Sequence, residues 1–229
     1  MWQGYTMKYK ALFLDFYGTL VHEDDDLIAN IAQKISAASP GNPDTKSITS
    51  LWWSEFSSGI ENSFLGSFQT QRQLESLSLE NVLKHFGCSI KTSDIDIALI
   101  EYWVKPDIFP ETKEFLHENP LPVCVVSNID RKDLHEAISY HGLSFDAIVT
   151  SEDAKSYKPR CEIFQMALDI MGISPSQVLY IGDSLSSDIT GANNCGIDSF
   201  WLNRKDRPVP HSIFPTYCGN SLLDILKIL

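Results

Sequence analysis

The stretch Ala11-Leu12-Phe13-Leu14-Asp15-Phe16-Tyr17-Gly18-Thr19-Leu20 decides the fold of this chain. Its first four residues form a short apolar run, which is typical of a strand buried in a parallel sheet. The run leads directly into the carboxylate of Asp15, and Gly18 follows in a turn. Ligand chemistry in open α/β sheets gathers at the carboxyl ends of the strands, so Asp15 is a candidate catalytic residue.

A second segment near the C-terminus repeats this design. The apolar run Val178-Leu179-Tyr180-Ile181 leads into Gly182-Asp183-Ser184, and Asp188 follows five residues after Asp183. Carboxyl ends of parallel strands meet at one edge of a sheet. The two segments therefore predict a cluster of carboxylates at that edge.

Strand and helix patterns alternate from about residue 109 onward, which predicts a doubly wound, Rossmann-like parallel α/β sheet. The predicted strands after the first cover residues 122–127, 145–150, 177–181 and 197–202. The predicted helices cover residues 111–119, 130–141, 160–171, 186–195 and 222–229.

The region between the first strand and this alternation has helical spacing and little strand signal. Helices are predicted over residues 26–38, 46–57, 70–86 and 92–103. We expect residues 22–105 to form an inserted α-helical cap domain over the strand ends, with residues 1–21 and 106–229 forming the core domain. Most of its aromatic residues are expected to pack in the core of the cap, and one or two facing the site would indicate an aromatic or apolar part of the substrate: Trp52, Trp53, Phe56, Phe64 and Phe68.

Composition excludes several classes of partner. The formal net charge is −12, which disfavours binding to nucleic acid and to anionic membranes. There is no long apolar run and no leader-like segment, so we expect a cytoplasmic protein without a membrane span.

Five cysteines without a CxxC pair predict reduced thiols rather than a disulfide or zinc site. Residues 1–6 receive no role.

Four motifs in order resemble the haloacid dehalogenase-like (HAD) hydrolase superfamily, whose members can carry a helical cap between the first and second motifs. The motifs are Asp15-Phe16-Tyr17-Gly18-Thr19-Leu20, then Val125-Val126-Ser127-Asn128, then Lys158-Pro159, and finally Gly182-Asp183-Ser184-Leu185-Ser186-Ser187-Asp188.

The resemblance implies a role for each motif. Asp15 would be the nucleophile, because a covalent aspartyl intermediate divides one difficult step into two. Ser127 and Asn128 would hold an anion near a helix start. Lys158 would neutralise the nucleophile and the transferred group. Lys155 is an alternative to Lys158, but the Lys-Pro pair and the helix that follows favour Lys158.

The carboxylates indicate a cation. Three close carboxylates with one lysine are hard to keep ionised without one, and oxygen ligands suit Mg²⁺. We predict Mg²⁺ held by Asp15, the backbone carbonyl of Tyr17 and Asp183. Asp188 would position either Lys158 or a metal-bound water.

Tyr17 departs from the phosphatase pattern, which has aspartate two residues after the nucleophile. A phenol with a pKa near 10 is a poor acid–base group at neutral pH. The 2-haloacid dehalogenases of this family carry tyrosine there, but they generally have a Ser-Ser-Asn type fourth motif and use an arginine of the cap. Here the fourth motif has the phosphatase form, and Trp53 stands where that arginine is expected.

Three hypotheses follow. The leading one is a Mg²⁺-dependent phosphatase of small metabolites that favours good leaving groups because of Tyr17. The alternatives are a metal-independent 2-haloacid dehalogenase and a non-catalytic binding or regulatory protein. We expect a small-molecule substrate and a monomer or homodimer.

Overall fold

A computed structural model describes residues 8–209 and 212–229. Its centre is a six-stranded sheet in the order β3-β2-β1-β4-β5-β6, in which all neighbouring strands are parallel. The strands are β1 (Ala11–Leu14), β2 (Val123–Ser127), β3 (Ala147–Thr150), β4 (Val178–Gly182), β5 (Asp198–Leu202) and β6 (Tyr217–Gly219). The predicted α/β class with a doubly wound parallel sheet is confirmed.

Both faces of the sheet are covered, because successive strand residues point to opposite sides. Leu12 and Leu14 pack into one apolar layer, and Ala11 and Phe13 pack into the other. The first layer includes α5 (Thr112–Glu118), α6 (Arg131–His141) and a terminal 3₁₀ helix, Leu222–Lys227. The second includes α8 (Cys161–Met171) and α9 (Thr190–Asn194), while the one-turn helix α7 (Ser151–Ala154) follows β3 directly.

Four helices lie between β1 and α5: α1 (Asp25–Ala38), α2 (Thr45–Asn62), α3 (Gln71–His85) and α4 (Thr92–Val104). The four predicted helices are all present, and α2 is longer than predicted because its helical turns continue through Asn62. No strand is assigned between residues 22 and 105, a span that the structure describes throughout. The division into a core domain and a cap at those boundaries stays our prediction.

Several local expectations need correction. β6 was not predicted, and the helix expected over residues 186–195 opens with a π-helical turn, Leu185–Ile189, before α9. The expected terminal helix is 3₁₀ rather than α. Residues 1–6, for which we predict no role, lie outside the described residues.

The cysteine prediction is wrong for two of the five residues. Cys161 and Cys195 form a disulfide with their Cα atoms 5.7 Å apart. This bond joins the start of α8 to the residue after α9. Cys88, Cys124 and Cys218 are free thiols. Among the described helices, none is both long and apolar enough to cross a membrane.

Candidate active site

The four motifs meet at the carboxyl edge of the sheet, where the strand order reverses between β1 and β4. Asp15 follows β1, and its backbone N–H donates to the carbonyl of Ile181 in β4 at 2.9 Å. This pairing places Asp15 beside Asp183, which follows β4. The predicted cluster forms here: carboxylate oxygens of Asp15, Asp183 and Asp188 lie within 4.8 Å of one another.

Lys158 connects two of these carboxylates. Its buried ammonium group donates to Asp15 Oδ1 at 2.6 Å and to Asp188 Oδ1 at 2.7 Å. Burial alone would lower the pKa of Lys158, but the two carboxylates outweigh it and raise that pKa. Lys158 therefore stays charged. Lys155, the alternative considered from the sequence, instead places its ammonium group 5.0 Å from the Phe68 ring centroid.

Asp188 is held by groups on every side. Its Oδ1 accepts from Lys158 and from the Tyr180 hydroxyl at 2.8 Å, and its Oδ2 accepts from the Ser184 backbone N–H at 3.0 Å. A Cβ atom on Gly182 would overlap the Asp188 carboxylate, so only glycine fits at this strand end. With both oxygens engaged, Asp188 is suited to positioning Lys158.

Tyr180 was not singled out by the sequence pattern. It is fully buried, and its hydroxyl lies 2.9 Å from Lys158 Nζ while it donates to Asp188. Burial and the nearby Asp188 raise the pKa of Tyr180 well above its ordinary value, so the hydroxyl keeps its proton. In the sequence this residue resembles any other aromatic residue inside a strand, and no local signal distinguishes it.

Asp183 has no such partners. Its carboxylate makes no hydrogen bond or ion pair with another side chain in the described parts of the chain, and Gly18, with φ +84°, leaves the room that it occupies. Burial, followed by the charges of Asp188 and Glu23, raises the pKa of Asp183 well above its usual range. For Asp15, burial is the largest cause of a pKa raised to about 6.

A divalent cation fits this arrangement. The donors are carboxylate oxygens, which are hard ligands of the kind Mg²⁺ prefers. Lys158 is already shared by Asp15 and Asp188, so the charge of Asp183 is left without compensation. Asp15 and Asp183 are the residues that would hold the ion. The contribution of the Tyr17 backbone carbonyl stays a prediction.

The second motif reaches the site from β2. Ser127 ends that strand and is buried, and it lines the same cavity as Asp15. Asn128 does something more specific: its Oδ1 accepts from the Lys158 backbone N–H at 2.8 Å, and its Nδ2 donates to the Lys158 carbonyl at 3.1 Å. The amide thus fixes the backbone of Lys158, and anion binding remains a prediction for Ser127 and Asn128.

Tyr17 is directed away from acid–base chemistry. Its hydroxyl donates to the backbone carbonyl of Trp103 in α4 at 2.6 Å. Burial, followed by the charges of Asp133 and Asp15, raises the pKa of Tyr17 well above 10. This phenol cannot shuttle a proton at neutral pH.

A cavity of about 650 Å³ opens between these strand ends and the helices of residues 22–105. Of the five aromatic residues, of which one or two were expected to face the site, Trp53 and Phe56 line the cavity, whereas Trp52 is buried. Phe64 and Phe68 are not among the lining residues. Trp103, which was not on that list, also lines the cavity.

The loop after β2 also fastens helix α3. The buried carboxylate of Asp130 accepts from the backbone N–H groups of Gln71 at 2.7 Å and Arg72 at 3.2 Å, the first two residues of that helix. Arg72, the one arginine within residues 22–105, forms an ion pair with the buried Asp133. Arg72 therefore attaches α3 to α6.

Relatives with curated functions fall into two groups. N-acylneuraminate-9-phosphatase of Mus musculus is 33% identical over 111 residues, which is 47% of this chain and 45% of the mouse protein. The matched segment is thus less than half of that relative. (S)-2-haloacid dehalogenase H-109 of Pseudomonas putida is 24% identical over 202 residues, 86% of each chain.

Solved structures agree on the fold. The L-2-haloacid dehalogenase of Xanthobacter autotrophicus superposes with a TM-score of 0.74 at 19% identity, covering 96% of this chain and 98% of that one. A family model described as haloacid dehalogenase-like hydrolase matches residues 9–196. With the four motifs assembled at one sheet edge, this match shows that the chain belongs to the haloacid dehalogenase-like hydrolases.

Proposed function

We propose that this hydrolase is a Mg²⁺-dependent phosphatase of small metabolites that acts through an aspartyl phosphate on Asp15. The observation that carries the proposal is the uncompensated carboxylate of Asp183 beside Asp15. A bound Mg²⁺ would supply the missing positive charge and would stabilise the charge on the transferred phosphoryl group.

The side chains present support two displacement steps. A carboxylate oxygen of Asp15 attacks phosphorus, and the bond from phosphorus to the leaving oxygen breaks with its electron pair going to that oxygen. Water then attacks the phosphorus of the aspartyl phosphate, the bond to Asp15 breaks, and both water protons remain on the released phosphate. Lys158 stays within hydrogen-bonding distance of Asp15 and offsets negative charge at the nucleophile.

Tyr17 limits the first step to good leaving groups. Its raised pKa and its bond to the Trp103 carbonyl leave it unable to protonate a departing oxygen. The carboxylate released from an acyl phosphate and the phenolate released from an aryl phosphate can leave as anions without that proton, whereas the alkoxide of an alkyl phosphate requires it. General acid catalysis contributes about 10²- to 10⁴-fold, so the discrimination should be of that order.

A phosphate-release panel with and without Mg²⁺ tests the proposal. We expect Mg²⁺-dependent turnover of acetyl phosphate and p-nitrophenyl phosphate, with much slower release from a sugar phosphate. Tyr17→Asp should gain most on the sugar phosphate, and Tyr17→Phe, which removes the hydroxyl without adding an acid, should not. The proposal fails if chelation of Mg²⁺ leaves phosphate release unchanged.

Metal-independent dehalogenation is the second candidate, and Tyr17 together with the dehalogenase relative matched over 86% of each chain favours it. A 2-haloacid carries a carboxylate that needs a cation. Among the described residues that line the cavity, Lys158 is the one basic side chain, and it is engaged by Asp15 and Asp188. Chloride release from 2-chloropropionate that persists in EDTA would establish this candidate instead.

A further inference from the structure

Helix α2 presents an apolar face to the cavity. Trp53, Phe56 and Ile60 lie at helical spacing and line it, whereas Ile48 and Trp52 of the same helix are buried on another face. The Trp53 side chain is 68% exposed, and its ring centroid lies 6.2 Å from that of Phe56. This face continues directly from the site around Asp15, so its natural occupant is the part of the substrate beyond the phosphoryl group.

The charge of the cavity restricts that occupant. Six acidic side chains line the cavity: Asp15, Glu23, Asp24, Glu61, Asp183 and Asp188. Within the described chain, Lys158 is the single basic residue that lines it, and two of those acids already bind its ammonium group. A second anionic group on a substrate would meet repulsion with no partner to offset it.

Three arginines near the cavity are directed elsewhere. The Arg72 guanidinium forms an ion pair with Asp133, in which Arg72 Nε donates a hydrogen bond to Asp133 Oδ2 at 2.8 Å. The Arg160 guanidinium donates to the backbone carbonyl of Glu61 at 2.6 Å and lies 4.9 Å from the Phe64 ring centroid. Neither lines the cavity. Arg207, whose guanidinium donates to the backbone carbonyl of Asp183 at 2.8 Å, does not line it either, so none of the three is placed to receive a carboxylate.

We propose that the cavity selects phosphorylated substrates whose leaving group is a ring without negative charge, and that a positive charge at the far end of that ring strengthens binding. The ring packs on Trp53 and Phe56, and a cationic end lies near the carboxylate of Glu61. Aromatic faces and carboxylates both attract ammonium groups. This inference rests on the proposed function, because it assigns the substrate class of the same site.

The effect of charge at the far end of the ring can be measured with three aryl phosphates whose phenols are similar but whose para substituents differ in charge. They are 4-(2-aminoethyl)phenyl, 4-ethylphenyl and 4-(2-carboxyethyl)phenyl phosphate, whose phenols resemble tyrosine with a pKa of about 10. We expect kcat/KM for the ammonium substrate to exceed that for the carboxylate substrate about tenfold or more, with the neutral one between them. Added salt should narrow the ratio, since exposed charges are screened.

Single substitutions test which side chains cause the preference for a ring and for a positive charge. Glu61→Gln should narrow the ammonium-to-carboxylate ratio, and Trp53→Ala should lower kcat/KM on all three aryl phosphates more than on acetyl phosphate, which has no ring. Leu77→Ala is the control, because Leu77 is an exposed apolar residue on α3 outside the cavity. It should change none of these ratios.

Calorimetric binding of the free phenols separates this inference from the proposed function. Tyramine should bind more tightly than 3-(4-hydroxyphenyl)propionate even if no phosphate ester is turned over. Equal binding of the two, or equal kcat/KM for all three esters, would overturn the inference and leave the phosphatase proposal intact. Absence of phosphate release from every ester, with the binding preference retained, would overturn the phosphatase proposal alone.

Discussion

Glu75 offers a stability test whose size follows from the structure. This residue of α3 is 7% exposed, and burial, followed by the charge of Asp24, raises its pKa to about 8. The unfolded chain loses that proton near the ordinary value of 4.5. Between these two values the folded protein holds a proton that the unfolded chain does not, so stability falls as the pH rises. Each pH unit costs about 1.4 kcal/mol, so the cost at pH 7 is about 3 kcal/mol.

Glu75→Gln should remove this cost, because a neutral amide of similar shape does not titrate. Urea unfolding followed by tryptophan fluorescence measures the free energy of unfolding of both proteins from about pH 5 to pH 8. We expect similar values at the acid end and a gap that widens to about 3 kcal/mol in favour of the variant by pH 7. Glu80→Gln, at an exposed position on the same helix, is the control and should show no gap. Parallel curves for the wild type and Glu75→Gln would refute a neutral, buried Glu75.

Two further substitutions test how the site is held together. Tyr180→Phe removes a buried hydroxyl that contacts Lys158 and Asp188, so kcat should fall about tenfold or more with little change in KM. The control is Tyr9→Phe, which removes a hydroxyl bonded to Asp198 and should keep its activity. Equal kcat in the two variants would contradict the role of Tyr180. Gly18→Ala places a Cβ atom 2.6 Å from Asp183 Oδ1, so Mg²⁺ activation in a phosphate-release assay should be lost. The control is Gly41→Ala, because Gly41 also has a positive φ but has open space around it. This variant should lose only about 1 kcal/mol of stability and keep Mg²⁺ activation. Mg²⁺ activation that survives Gly18→Ala would show that Asp183 is not needed to bind the ion.

The parts of the site that the sequence predicted are those where a local pattern also fixes the position in space. An apolar run that leads directly into Asp15 must place that carboxylate at the edge of a parallel sheet. The same reasoning applies to Asp183, and the fold brings the two carboxylates together. The choice of Lys158 over Lys155 followed from the proline and the helix that come after it, and the contact with Asp15 agrees.

The features that were missed depend on contacts between distant segments. β6 has three residues, too few to show an alternating or continuous apolar pattern. The disulfide forms because α8 begins where α9 ends, and spacing along the chain does not reveal that proximity. The contact of Asn128 with the Lys158 backbone was missed for the same reason, since its partner lies 30 residues further along the chain.

The attachment of α3 to Asp130 affects how substrate exchanges with solvent. The first two backbone N–H groups of that helix donate to a carboxylate in the loop that follows Ser127 and begins with Asn128. An outward movement of the helices of residues 22–105 that opens the cavity to substrate would break both hydrogen bonds and expose that carboxylate to water. Opening of the helices of residues 22–105 and rearrangement of the loop beside the phosphoryl site would then occur together, so one loop would control both substrate binding and product release.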